Sequence, residues 1–346
     1  MPGLRSVAPR GKTELVARFR IDLGDYISAA EIAAQGELCV TGVGDGSIVG
    51  IELASGCERF RQRAHPGGVL GLSVAPEGAR FVTCGQEPDA KMWTTAGELV
   101  RELPGGSAAC VEHVAWAPSA GGIAIAAGRK VRVWSATGEL LLETEPVAST
   151  VSGLAWRADG TAVAAICCGG VHIWPFVPRA PARHLASKGS LISLAWSPNA
   201  RVIACGSQDS SVHFWRLATG QDSQMSGLPF KPEALAWDSE SNLLATSGHT
   251  TVTLWDFRGK EPAATRPIRL QAHKDIVTRL RFSPRKAVLA SGSRDTLVLL
   301  WEPHCATHPI RGAFLDDEIT ALTWHPEHLG LVAGDASGKL CFWDVS

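Results

Sequence analysis

Tryptophan recurs along this chain at an almost fixed interval, and that interval constrains the fold more than any other feature. Trp93, Trp134, Trp174, Trp215, Trp255, Trp301 and Trp343 each close a short run such as Val-Arg-Val-Trp or Val-His-Phe-Trp. Successive members lie 41, 40, 41, 40, 46 and 42 residues apart, and Ile51 ends a matching run 42 residues before Trp93. A second series, Trp116, Trp156, Trp196, Trp237 and Trp324, precedes the first by 18 or 19 residues, with Ile32, Val74 and Phe282 in the same place in the other units. The two series take up all twelve tryptophans, which leaves none for a special site and places them in the core. Self-similarity at such a period marks a repeat array, where neighbouring units bury one another's apolar faces.

The unit is clearest from His273 to Trp301. Ile276 to Phe282 alternate, Ser283-Pro-Arg-Lys286 reads as a turn, and Ala287 to Gly292 are small and apolar. Ser293-Arg-Asp295 turn again before the apolar run Leu297 to Trp301. Three short strands joined by turns would be marginal alone. Eight such units can be counted.

This unit resembles the WD repeat of β-propeller proteins, and the resemblance covers residues 14–346. The signature dipeptide survives at Trp255-Asp256 and Trp343-Asp344, and the opening Gly-His pair is reduced to Ala64-His65 and Ala272-His273. The resemblance implies an all-β chain forming a single WD40-type β-propeller. Eight units predict eight four-stranded blades; seven, the commoner ring, is the runner-up and requires one irregular unit. The last unit ends just after its third strand, while an extra alternating run, Glu14 to Arg20, precedes the first. Family architecture implies that this N-terminal strand closes the last blade, pairing open backbone groups. Residues 1–13, with Arg5, Arg10 and Lys12 among Pro and Gly, are expected to be a flexible tail rather than a targeting segment. The 46-residue step is taken up by a polar loop, Arg258 to Pro267, and Pro175 to Pro181 form another; both read as surface loops.

Composition narrows the function. Lys and Arg total 33 against 34 Asp and Glu, so no general field favours nucleic acid or an anionic membrane. No apolar run approaches membrane-spanning length. Five of the nine cysteines, Cys39, Cys84, Cys167, Cys168 and Cys205, fall in or at the end of second-strand runs, and Cys341 in a third strand. Small buried thiols suit such places. The odd count and the lack of a secretory apolar core point to reduced thiols and a cytoplasmic location.

In WD repeats a buried His–Ser/Thr–Asp–Trp network braces a blade, and the resemblance assigns it here to His273, Ser291, Asp295 and Trp301. The same trio invites a hydrolase reading, but no oxyanion motif accompanies it. Unit two keeps His65, Thr83 and Trp93 with Glu87 at the acid position, so its network lacks the expected acid. Unit five keeps Asp209 and Trp215, with Cys205 and Ser187 at the other places, and the remaining units are expected to be braced by apolar packing. Thr41-Gly-Val-Gly-Asp-Gly46 is rich in glycine but lacks the Lys-Ser/Thr and the helix of a phosphate loop.

One cluster stands outside the repeat logic. His304, Cys305 and His308 follow Trp301, and His325 and His328 follow Trp324. If they converged, three or four could hold zinc. The primary expectation is nonetheless a non-catalytic scaffold without a cofactor, a monomer within a larger complex, binding a protein or peptide on one face. A metal-handling propeller is the alternative, and a propeller enzyme a weaker one. Family contact positions, at the start of each first strand and before each third strand, carry over to Tyr26, Leu70, Gln86, Glu112, Arg129, Gln208, Lys231, Glu233, His249, Thr278, Arg294 and Glu318.

Overall fold

The computed structural model describes residues 14–119, 122–176, 181–259, 266–303 and 307–345. The proposed tail, His304, Cys305 and much of the two Pro-containing loops lie outside the described residues. Each repeat begins with an inner strand: Ile27–Ala33, Val69–Val74, Val111–Trp116, Gly153–Trp156, the second half of Arg183–Trp196, Leu235–Trp237, Val277–Phe282 and Ile319–Trp324. Each of these strands packs beside the next, and the last packs beside the first. The array therefore closes on itself around one axis as a single all-β propeller.

Second strands are the most deeply buried, because both faces of their sheet are covered by neighbours. Leu38–Val43, Val202–Ser207, Leu243–Gly248 and Gly330–Asp335 are buried at every residue. Apolar and small side chains fill these strands, and the thiols of Cys39, Cys84 and Cys205 suit them. Burial raises all three thiols, that of Cys39 to about 12. The eight cysteines among the described residues are free thiols. Among the described residues no helix is long and apolar enough to cross a membrane.

The expectation of eight separate four-stranded blades is not matched. Among the described residues the ring consists of seven hydrogen-bonded sheets, the runner-up number, six with four strands and one with six. Units four and five share the larger sheet because two long segments, Ala162–Pro175 and Arg183–Trp196, each serve two places in it. Ala162–Pro175 folds back on itself at Gly169 and Gly170 (φ +97° and +140°), so that the Phe176 N–H donates to the Thr161 carbonyl at 2.7 Å. Arg183–Trp196 first pairs with the end of that hairpin, Leu185 opposite Val171, and then turns inward to pair with unit five, Leu194 opposite Cys205.

Closure follows the expected plan with a shifted boundary. The outer strand of the last sheet is Ala17–Asp22, antiparallel to Lys339–Asp344, with Phe19 opposite Phe342 and Ile21 opposite Leu340. The Phe19 and Phe342 rings lie 5.7 Å apart, and Lys339 pairs with Asp22. Glu14 and Leu15 belong instead to the neighbouring unit, where the Leu15 N–H donates to the Gly312 carbonyl at 3.0 Å.

The inner-strand tryptophans do more than fill space. Indole N–H groups of Trp156, Trp196, Trp237 and Trp324 donate to the carbonyls of Ala115, Ala155, Ala195 and Arg281, at 2.9 to 3.4 Å. Each bond joins one repeat to the inner strand of the repeat before it.

Candidate functional site: the channel mouth and its surroundings

The bracing chain in unit seven is continuous. The Trp301 Nε1–H donates to Ser291 Oγ at 2.8 Å, Ser291 Oγ lies 2.7 Å from His273 Nε2, and His273 Nδ1 lies 3.1 Å from Asp295 Oδ2. Asp295 also accepts the backbone N–H groups of Lys274 and Leu297. Burial alone would raise the Asp295 carboxyl, but His273 and these donors hold it below its usual value. Ser291 is fully buried and the side chains of His273 and Asp295 are nearly so, so the set is enclosed in the blade.

Unit two departs from the sequence-based reading. Glu87 Oε2 reaches His65 Nδ1 at 2.8 Å, His65 Nε2 lies 2.8 Å from Thr83 Oγ1, and the Trp93 Nε1–H donates to Thr83 at 2.9 Å. One extra methylene lets glutamate complete the chain from a more exposed position. Unit six retains a fragment, Trp255 Nε1 to Thr246 Oγ1 at 3.0 Å. In unit eight the fully buried Asp335 accepts N–H groups of Asp316, Asp317, Ser337 and Lys339, a brace the sequence reading missed because no histidine marks it. Gly46, in the glycine-rich stretch, adopts φ +90° in an ordinary turn, where a Cβ would sit 1.7 Å from the His65 carbonyl oxygen.

Three members of the histidine–cysteine cluster, His308, His325 and His328, lie among the described residues. His325 Nε2 donates to the Gly36 carbonyl at 3.0 Å, while its Nδ1 accepts the N–H groups of Glu327 and His328. Both ring nitrogens are thus engaged, Nε2 joining unit eight to unit one and Nδ1 bracing a turn within unit eight. Its burial, with His328 beside it, lowers its pKa and favours this neutral tautomer. His328 packs on His325 with ring centres 3.5 Å apart and faces Asp344 at 3.6 Å, and His308 is exposed. Among the described residues no group of three potential ligands is placed to hold a metal.

Of the twelve carried-over contact positions, Tyr26, Leu70, Gln86, Glu112, Arg129, Gln208, Glu233, His249 and Arg294 are exposed, and Lys231 and Glu318 half-buried. Arg294 pairs with Glu318 at 3.0 Å, and Tyr26, Glu233 and Glu318 act electrostatically on Arg279. Thr278 is the exception. It is buried, and its hydroxyl bonds to the carbonyls of Gly292 and Ile319, so it ties unit seven to unit eight rather than facing outward.

Beneath Leu70 and Glu112 opens a cavity of about 200 Å³, lined by the first strands of units one, two, three, seven and eight. Strands from so many units meet only around the ring's axis, so this is its central channel. In six units the first strand is irregular just above this level, as between Val277 and Arg279 or Val111 and His113. A bulge re-aims the side chain that follows it. Glu31, His113, Arg279 and Arg281 thereby join the lining. None of these four was singled out from the sequence. The available signal was the repeat alignment, where Ala29, Gly71, Gly153, Ser193, Ala234 and Ala321 take the place of Arg279.

The geometry first defines a class, the closed β-propeller with a polar rim around a central channel. Residues 181–216, 265–302 and 307–344 match the family model of the WD domain, G-beta repeat, so three WD40 repeats stand within the closed β-propeller. Protein FIZZY-RELATED 1 of Arabidopsis thaliana is 27% identical over 161 residues, 45% of this chain and 33% of that protein. Anaphase-promoting complex subunit cdc20 of Dictyostelium discoideum is 25% identical over 243 residues, 64% of this chain and 46% of that protein. The chain spans about a third of the length of the first curated relatives it matches. Among solved structures, Saccharomyces cerevisiae Sqt1 superposes with a TM-score of 0.82 at 15% identity, covering 96% of this chain and 100% of that one, which speaks to the fold alone.

Proposed function

We propose that this protein is a non-catalytic WD-repeat scaffold that holds a protein or peptide partner against the rim of the channel mouth. The observation that carries this reading is the rim itself. Exposed Leu70 and Glu112 lie on inner strands of the closed ring, and exposed Tyr26, Glu233 and Arg294 lie in the connections next to such strands. Aromatic and arginine anchors surrounded by mixed charge suit a polar peptide better than a polyanion. The Dictyostelium relative is by its name a subunit of a complex, and relatives of that kind support a protein partner. A cytoplasmic monomer working within a larger assembly, with residues 14–346 as the binding unit, fits the free thiols and the balanced charge.

Affinity capture from the native cell, read by mass spectrometry, tests this. Tyr26→Ala, Lys231→Ala and Arg294→Ala should each reduce partner recovery while leaving the melting temperature within a degree or two of the parent. Full recovery with all three variants would move the interface to the other face or the outer loops.

A further inference from the structure

The central channel carries a charged set that a peptide-binding rim does not need. Arg279 and Arg281 are two positions apart on one strand, so both side chains leave it on the same side. Arg279 donates through Nε to the Thr320 carbonyl at 2.6 Å and through Nη1 to the Thr278 carbonyl at 2.9 Å. Arg281 donates through Nη1 to the Leu280 carbonyl at 3.1 Å. Each guanidinium has five N–H donors, so most of them remain for whatever occupies the cavity. Glu31 lines the same cavity, and its Oε2 accepts the Val74 N–H at 2.7 Å. Burial pushes the Glu31 carboxyl up to about 7, against the opposing effects of the Val74 N–H and the Arg281 charge.

We propose that the channel binds a compact dianion of the phosphate or sulfate kind, gripped by Arg279 and Arg281, with one proton taken up on Glu31. Paired guanidiniums are the usual protein answer to such oxyanions. A dianion beside Glu31 disfavours its carboxylate, while the protonated acid can donate to the anion. Charged and titratable groups face Glu31 from three units. Arg279 and Arg281 come from unit seven, Glu112 and His113 from unit three, and Cys39 from the second strand of unit one. The inner strands of units two and eight contribute no titratable side chain. Asp335, on the second strand of unit eight, is tied to loop N–H groups, and burial keeps His113 neutral at pH 7. Glu31 is therefore the group positioned to respond between pH 6 and 8. The proposal stands independently of the partner-binding reading.

Calorimetric titration with sulfate tests it, because sulfate stays a dianion throughout this pH range. At matched ionic strength we expect one-to-one binding that is about tenfold weaker at pH 8 than at pH 6. Arg279→Gln and Arg281→Gln should each weaken it at least tenfold, while Glu31→Gln should keep the pH 6 affinity at pH 8. Glycerol phosphate in a parallel titration separates the two sources of the group: tighter binding than inorganic phosphate assigns the site to a phosphomonoester, and equal or weaker binding to the free ion. No saturation by about 10 mM sulfate overturns the proposal. So does binding that the arginine variants leave intact. If those variants melt early, the Glu31→Gln titration still decides, and an unchanged pH dependence there overturns it.

Discussion

Unit seven encloses the Asp295 carboxyl and the central channel holds the Glu31 carboxyl half-buried, and their chemistry diverges. Asp295 receives His273 and two backbone N–H groups, and its carboxyl lies below its usual value. Glu31 receives a single backbone N–H, and its carboxyl lies far above. Burial acts on both in the same direction, so hydrogen bonding decides the outcome. A fully matched buried network fixes a shape. A partly matched one retains the capacity to bind something or to change charge, which separates the bracing elements from the candidate site.

Breaking the matched network should produce the largest effect. Ser291→Ala strands the Trp301 indole N–H and His273 Nε2 in the core, with an expected loss of about 3 kcal/mol in urea unfolding. A loss below about 0.5 kcal/mol would mean that packing alone braces unit seven.

The channel acid should respond with the opposite sign. The folded-state pKa of Glu31 is raised, so its contribution to stability is complete below the ordinary glutamate pKa and is lost as pH rises through about 7. Glu31→Gln should therefore stabilise the protein at pH 8, by about 2 kcal/mol, and the gain should vanish near pH 4.5. A variant less stable than the parent at pH 8 would place Glu31 among the bracing groups.

Asp295 gives the mirror image at lower amplitude. Its folded pKa is depressed, so its contribution is present above the ordinary aspartate value and lost as pH falls through the folded one. Asp295→Asn should flatten the acid limb of the stability profile below the ordinary aspartate value, as urea unfolding across the acid range would show. Glu87→Ala should matter least, at about 0.5–1 kcal/mol, because its side chain is 26% exposed and water can replace it at His65. A cost equal to that of Ser291→Ala would make the two units equivalent.

Much of this architecture is written in side-chain spacing. The tryptophan series locates each repeat, because large indoles recur only where neighbouring sheets cover them. The alternating run near Arg20 likewise announces the closing strand, though pairing begins three residues later than its pattern suggests. Other features depend on reach and on backbone detail. Nothing in the letter Glu87 says that one methylene suffices to meet His65. Thr278 sits at a rim position by spacing, yet two nearby carbonyls draw it inward. Arg279 and Arg281 look like the solvent-facing half of an alternating strand until ring closure turns that half towards the axis. The shared sheet of units four and five arises from a hairpin at Gly169-Gly170, a conformational property that repeat spacing does not encode.

The pairing of Ala17–Asp22 with Lys339–Asp344 also has a consequence for assembly in time. These partners are separated by more than 300 residues, so the first segment cannot pair until all the intervening repeats have been made. Bringing such distant partners together carries a loop-closure cost, and that cost slows folding. During this interval the early segment and the intermediate sheets expose pairing edges, which invites exchange with a second nascent chain. Synthesis rate and chaperone supply should therefore influence the yield of folded protein. A permuted gene that places the two segments next to each other would shorten the wait without altering a contact in the finished ring.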